Sequence, residues 1–320
     1  MDGNERVLGY MKKHGLLARF IGGISHKKII FAGKLLGLFV YIVDRRHRRI
    51  VFRNLSFAYP DFSRGKIRLL GRDIFKNFGI TALEIFQMAF MEKAALVKWV
   101  EIKGEKYLVD ALNSSRGIIL YSAHIGNWEL GVSFVSYYFG LSVLLIARRI
   151  QLNFLNNLIH RVRTRSGNIM IDKKGALRKM ARSLRKGGAV ALMIDQSTKI
   201  SQGVDVLFYD KIATATPVVS ILARRFKCIV LPVFCVRKSD GGFILVVKPP
   251  LAMNKEDGVE AHPHLYAQET TRVVEGVVRE YPEQWFWFHK RWKRHYPHLY
   301  KEDIEKRKLR KNKERLKKSV

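Results

Sequence analysis

From residue 116 onward, short apolar runs alternate with longer stretches of helical periodicity, and nothing else in the chain restricts its fold so strongly. Strand-like runs fall at 117–122, 142–147, 189–194, 228–236 and 243–248, and helix-like stretches at 130–138, 152–165, 175–186, 217–226 and 265–281. Strand, helix, strand in succession is the unit of an α/β sheet with helices on its faces. The last two strands flank Asp240-Gly241-Gly242, a hairpin signal, so the sheet is expected to be mixed. The fold class is therefore α/β, a mixed central sheet covered by helices. At 320 residues and 48% apolar composition the chain can bury one large core. No internal repeat or low-complexity linker divides it, and one domain is the simplest count.

Ahead of the alternation, 67–91 carries apolar side chains at helical spacing, including Leu70, Ile74, Phe75, Phe78, Leu83 and Phe86. One or two core helices are expected there. The most apolar stretch, 29–43, is broken only by Lys34, with Lys27 and Lys28 before it and Arg45, Arg46, Arg48 and Arg49 after it. As a helix it spans about 22 Å, short of the roughly 30 Å hydrocarbon core of a bilayer. It is expected to dip into or lie along a membrane with Lys34 snorkelling; a buried core helix is the alternative. No cleavage-site pattern follows an apolar run in the basic first thirty residues, so no removable signal peptide is expected. The chain divides into a basic amino terminus with this helix (1–44), a main domain (45–300) and a basic tail (301–320).

Lys and Arg number 59 against 27 Asp and Glu, a formal charge of +32. Such a surface meets nucleic acid, anionic lipid or an acidic protein. Cys228 and Cys235 fall seven residues apart on one expected strand, roughly 23 Å, too far to bridge. They suit a reducing compartment as small buried residues. The spacing of His262, His264, His295 and His298 fits no common zinc pattern, and no metal or other cofactor is expected.

Chemistry concentrates where the first strong strand ends, in Ser122-Ala123-His124-Ile125-Gly126-Asn127-Trp128-Glu129-Leu130. His124 sits at the carboxyl end of a strand, where open α/β sheets place ligands. Glu129 falls just inside the next helix and is expected to fold back and hydrogen-bond the imidazole, making His124 a general base for a hydroxyl. The plainer account is that Asn127 caps that helix and Glu129 takes a favoured place in its first turn. Neither a Gly-x-Ser-x-Gly elbow nor an activated cysteine is present to supply a nucleophile.

The string Ser122 to Glu129 resembles the His-x4-Asp/Glu motif of the late acyltransferases of lipid A biosynthesis, themselves similar to glycerolipid acyltransferases. Three further stretches match in family order. The first is Arg48-Arg49-Ile50-Val51-Phe52-Arg53-Asn54-Leu55 with Phe57 and Pro60. The second is Ala191-Leu192-Met193-Ile194-Asp195-Gln196, with Gly203-Val204 and Ala213-Thr214 after it. The third is the block from Pro282 to Lys293. The resemblance runs from about residue 45 to 294.

It implies a glycerolipid-acyltransferase-like fold with an amino-terminal membrane-associated helix, on the cytoplasmic face of a bacterial inner membrane. It implies transfer of a fatty acyl chain from acyl carrier protein to a hydroxyl of a lipid A precursor, with anionic lipids as further partners. His124 and Glu129 would be catalytic. Arg161, Arg163, Asp195 and Asn127 are the substrate-binding candidates. The family's functional arginine, first of an Arg-x-Arg pair, maps onto Arg161, whereas the apolar stripe Leu152, Leu155, Ile159 and Val162 puts Arg163 nearer the buried edge; both stay open. The aromatic-basic block Trp285, Trp287, His289, Lys290, Arg291, Trp292, Lys293 and Arg294 is expected at a membrane interface, or alternatively stacking on bases. Because the dyad is shared more widely than the acceptor, another glycolipid or a lysophospholipid is the alternative substrate. A basic nucleic-acid-binding protein is the alternative from another class, and it leaves the 29–43 stretch and the dyad unexplained.

Overall fold

The computed structural model describes residues 15–147, 152–173, 175–251 and 263–302. Four helices lead in: α1 (Gly15–Gly23), α2 (His26–Val43), α3 (Arg45–Ala58) and α4 (Arg64–Met88). Next come α5 (Lys93–Val97), β1 (Val100–Lys103), α6 (Glu105–Asn113), β2 (Ile118–Ser122), α7 (Trp128–Tyr138) and β3 (Val143–Ala147). The middle of the chain gives α8 (Asn153–Thr164), β4 (Ile169–Asp172), α9 (Ala176–Arg185) and β5 (Ala189–Met193). It continues with β6 (Val204–Phe208), β7 (Lys211–Ala215), α10 (Val218–Phe226), β8 (Ile229–Arg237), β9 (Phe243–Val247) and α11 (Pro263–Glu280).

Seven strands form one sheet in the order β1-β9-β8-β2-β5-β3-β4. Neighbours are parallel except β8 and β9, joined antiparallel through the expected turn, with Gly241 at φ +95°. The mixed sheet under helices is as the alternation requires. β2 lies at its centre, parallel to β5 on one side and β8 on the other, and Ile118 to Tyr121 are all buried. A run apolar on every residue is what a strand covered on both faces needs.

Four strands had no clear sequence signal. β1 and β4 are four-residue strands at the sheet's two edges, with mixed exposure. β6 and β7 form a separate hairpin whose turn residues, Tyr209 and Asp210, both have positive φ (54° and 56°) without a glycine. Asn-Gly and Asp-Gly are the usual marks of such a turn, and neither is present. The hairpin packs on α11, where Leu207 N donates to Gln268 and Tyr209 N to Glu275. Cys228 and Cys235 are free and buried.

The 67–91 periodicity resolves as the single 25-residue helix α4. Against it lies α2, brought so close by Gly33, Gly37 and Gly79 that a β-carbon on Gly37 would fall 2.2 Å from the Phe75 carbonyl oxygen. Only Ile29, Gly33 and Gly37 of α2 are buried, while Phe31, Leu35, Phe39, Ile42 and Val43 face outward at 53% to 66% exposure. The 29–43 stretch is therefore half core and half surface. Among the described residues no helix is long and apolar enough to cross a membrane. Most of the basic tail lies outside the described residues.

The carboxy-terminal aromatic block corrects the expectation of a membrane-interface or base-stacking surface. Trp285, Trp287 and Trp292 are at most 2% exposed and Arg291 is 1% exposed. They tie the molecule together: Trp292 Nε1 donates to Phe208 O, Arg291 to Thr214 O, and Asn54 on α3 donates to the carbonyls of Trp287 and His289. Aromatic rings with one polar tip suit this role, since the ring fills space while the N–H finds a carbonyl.

Candidate active site

Two neighbouring strands bring the site together. Ser122, the last residue of β2, is paired in register with Met193, the last of β5. Ile194 N donates to Ser122 O, so the two chains leave the sheet side by side. Two residues on from that pair stand His124 and Asp195. Asp195 Oδ1 lies 2.8 Å from His124 Nδ1, and its Oδ2 accepts from the His124 backbone N–H at 3.0 Å and from Trp285 Nε1 at 2.8 Å.

Burial alone would raise the Asp195 carboxyl, but the charge and hydrogen bonds of His124, with Trp285, hold it well below the usual carboxylate range. As an ionised acceptor it fixes the imidazole tautomer: Nδ1 carries the proton and Nε2 carries the lone pair. For His124, burial pulls proton affinity down, and the charge and hydrogen bond of Asp195, helped by Glu129 and opposed by Arg163, bring it above the ordinary imidazole value. The His124 side chain is 23% exposed, so the ring is held and still reachable.

The turn around His124 is built by backbone contacts. Gly126 has φ +58°, and a β-carbon there would meet the Cys235 carbonyl oxygen at 2.0 Å, so only glycine fits. Gly126 N donates to Gln284 O, Asn127 N to Cys235 O, and Phe286 N to His124 O. The 284–286 segment thus lies as an extended partner along the turn. Trp128 meets the His124 ring edge-on at 5.2 Å, and Phe286 stands 6.2 Å away. Phe78, Trp128, Gln284, Phe286 and Phe288 line a hollow beside the turn.

Glu129 is not the hydrogen-bond partner of His124. Its carboxylate faces α8, where Arg163 grips it with two bonds, Nε to Oε2 at 2.7 Å and Nη2 to Oε1 at 2.6 Å, and Trp128 Nε1 adds a third at 3.1 Å. The expected fold-back fails because Asn127 starts α7 and its helical geometry turns residue 129 toward the next helix; Asp195 takes the ring nitrogen instead. Of the two arginines, Arg163 is the one joined to this centre. Arg161 Nε donates to Ala89 O at the end of α4, as does Arg165. The buried stripe of α8 is Leu158 and Val162, not the one starting at Leu152, which is 65% exposed.

Asn127, expected to contact substrate, is fully buried. Its Oδ1 accepts from Leu130 N and its Nδ2 donates to Glu84 Oε2, so it caps α7 and anchors the turn. Glu84 belongs to a buried network that sequence reasoning missed, shared with His26, Thr81 and Arg237. Its one signal was an isolated acid inside the apolar face of α4. Trp285 and Gln284 were also missed as site residues, although both stand in the carboxy-terminal block.

An imidazole and a carboxylate carried side by side at the ends of adjacent parallel strands stand where α/β enzymes place their ligands. The chain matches the family described as bacterial lipid A biosynthesis acyltransferase over residues 15–294. It is 30% identical to the lipid A biosynthesis lauroyltransferase of Escherichia coli (strain K12) over 257 residues, 78% of this chain and 80% of that protein. It is 26% identical over 277 residues to the lipid A biosynthesis palmitoleoyltransferase of the same organism and to a lipid A biosynthesis acyltransferase of Shigella flexneri, in each case 84% of this chain and 86% of the relative. The chain therefore belongs to the bacterial lipid A biosynthesis acyltransferases. It is an O-acyltransferase of lipid A biosynthesis.

Proposed function

We propose that this enzyme moves a fatty acyl chain from the thioester of acyl carrier protein to a hydroxyl of a lipid A precursor, with His124 as general base. The observation that carries this reading is the His124–Asp195 pair, which leaves a lone pair on a reachable imidazole beside an aromatic hollow. His124 Nε2 takes the proton as the acceptor oxygen attacks the thioester carbonyl. The tetrahedral intermediate then expels the thiolate, which leaves as the thiol with the proton returned by the imidazolium. Such base assistance is worth on the order of 10² to 10⁴ in rate.

Arg163 is the residue suited to meeting the developing oxyanion or an acceptor phosphate. Its Nε and Nη2 are held by Glu129, and Nη1 makes no hydrogen bond to another described residue. Glu129 acts in this reading by aiming Arg163 and by raising the proton affinity of His124 from a distance. A lone charge-assisted donor of this kind is worth about 3 kcal/mol of barrier.

Residues 1–44 would form the membrane-contacting part, 45–300 the catalytic domain and 301–320 a basic tail. The outward apolar face of α2 would lie in the headgroup layer of the cytoplasmic leaflet, with exposed Lys27, Lys28, Lys34 and Arg45 against anionic lipid. The wider basic surface suits the acidic acyl carrier protein. The test is an assay of purified protein with acyl-carrier-protein thioester and lipid A precursor. His124→Ala is expected to lose activity to near background; full activity in that variant would remove the base from the mechanism.

A further inference from the structure

Glu84 lies on the buried side of α4, fully out of solvent, and its carboxylate has four bonds from three elements. Arg237, the last residue of β8, gives two, Nη2 to Oε2 at 2.6 Å and Nε to Oε1 at 3.2 Å. His26, at the start of α2, lies 2.9 Å from Oε1. Asn127 Nδ2 donates to Oε2 at 3.0 Å. A buried carboxylate with a buried guanidinium is a costly arrangement to retain, and an apolar pair of similar volume would often be as stable or more so. Stability alone does not account for it.

The network closes around one object, the turn that presents His124. Asn127 is held at its side chain by Glu84 and at its N–H by Cys235 O. Thr81 Oγ1, which accepts from Arg237 Nη2, donates in turn to Gly126 O. Arg237 also exchanges two bonds with Gln284, its N–H donating to Oε1 and its carbonyl accepting from Nε2, while the Gln284 carbonyl takes the Gly126 N–H. Of the groups that fix Gly126 and Asn127 from other elements, Thr81 and Gln284 are bonded to Arg237 and Cys235 belongs to the strand that Arg237 ends, while Asn127 Nδ2 meets Glu84 directly and has the Met88 sulfur at 3.7 Å beside it. Downstream, Asn127 caps α7, whose first turn carries Glu129 and through it Arg163.

We propose that Glu84 is a positioning residue for acyl transfer, setting the height of the His124 turn and the aim of Glu129 through Asn127. This rests on the reading of His124 as base and Glu129 as the holder of Arg163. Because His26 opens α2, the same carboxylate joins the outward-facing apolar helix to the turn.

Two variants separate placement from folding. Asn127→Ser keeps a hydroxyl that can cap Leu130 N and gives up the arm to Glu84, together with its weak contact to the Met88 sulfur. The double variant Glu84→Gln/Arg237→Gln removes both buried charges together, leaving neither unpaired. In the assay of full-length enzyme, kcat is expected to fall roughly tenfold or more in each, with the acceptor KM within about twofold, as for a misplaced catalytic group. Combining them is expected to cost no more than the larger single loss, the mark of residues acting through one contact. The acid limb of the kcat/KM profile is expected to move to lower pH, because a displaced Glu129 raises His124 less. Among the described residues the charged or titratable neighbours of His124 are Asp195, Glu129, Arg163 and His289; Glu129 hangs on the Asn127 cap and carries Arg163 with it, and the rise from Glu129 outweighs the lowering by Arg163. Loss of folded protein would lower the profile without moving its midpoint. Wild-type kcat in Asn127→Ser, or a reduced profile with an unmoved midpoint, would overturn the proposal, and this variant decides if the charge-pair variant does not fold. Full activity in His124→Ala would instead overturn the reading beneath it.

Discussion

His124 and Asp195 stand 71 residues apart in the chain and 2.8 Å apart in space, each two residues beyond a register pair of adjacent parallel strands. Their contact is a consequence of sheet register rather than of loop shape. A base placed this way is carried by the ends of two adjacent strands near the centre of the sheet.

Asp195→Asn tests the pair through its tautomer. An amide can donate to Nδ1 and leave the proton on Nε2, where it blocks base catalysis, so kcat/KM is expected to fall on the order of 10² to 10⁴. The pH dependence has a definite sign. The wild-type base is active when unprotonated, and its proton affinity sits above that of an ordinary imidazole mainly because Asp195 outweighs burial. Activity should rise with pH through a midpoint above the ordinary value, and in Asp195→Asn any residual activity should rise at lower pH. An unchanged midpoint in kcat/KM profiles would detach Asp195 from the base.

The same pair governs stability in acid. The Asp195 carboxyl is depressed in the folded state, so its contribution is complete above the unfolded carboxyl value and is lost as pH falls through that value toward the folded one. His124 is raised, so its contribution is complete below the unfolded imidazole value and is lost as pH rises through the folded one. Denaturant melts of wild type and Asp195→Asn should therefore differ most in the window between the two unfolded values, roughly pH 4 to 6.5. The gap should close as pH drops below about 4. A gap independent of pH would mean that the loss is one of packing.

Much of this was legible in the chain, and what escaped has a physical cause. The α/β class, the central strand and the position of His124 followed from apolar runs and a strand-to-helix junction, which are local. The partner of His124 did not, because Glu129 is near in sequence and Asp195 is near only through the pairing of β2 with β5, which no spacing reveals. Asp195 is nonetheless among the substrate-binding candidates that the family resemblance implies. The Trp285–Trp287–Trp292 block shows the converse error: aromatic and basic residues in alternation fit a surface and a core equally in composition, and only the Asn54 and Phe208 contacts separate the two. Glu84 carried almost no signal, since a single acid in a helix reveals nothing of three partners.

Arg163 and Arg161 differ by half a helical turn and should differ sharply in kinetics. Arg163→Ala removes both bonds to Glu129 and an Nη1 that no other described residue holds, and kcat is expected to fall about 10²-fold, the loss of one strong transition-state donor. Arg161→Ala removes a bond to the Ala89 carbonyl at the end of α4, which is worth about 1 kcal/mol of stability. Its kcat should stay within about threefold while its Tm drops by roughly 2–4 °C. Steady-state kinetics beside thermal melts check both; equal kinetic losses would show that the helix, and not the guanidinium, is what matters.

The exposed stripe of α2 makes the last prediction. Phe31, Phe39 and Ile42 are each more than 60% exposed, on the side of α2 turned away from α4. Burying such side chains in the headgroup and acyl boundary would gain about 2 kcal/mol each, so the triple change Phe31→Ser/Phe39→Ser/Ile42→Ser should weaken vesicle binding by more than 10²-fold. Wild-type binding should also weaken with salt on vesicles containing anionic lipid, as Lys27, Lys28 and Lys34 lose their hold, and much less on neutral ones. Co-sedimentation with vesicles of defined composition measures both effects. In detergent-dispersed substrate the triple variant should keep its kcat, because the His124 turn is tied to α2 through His26, which the changes leave in place. Undiminished binding by the triple variant would move the membrane contact to another face of the enzyme.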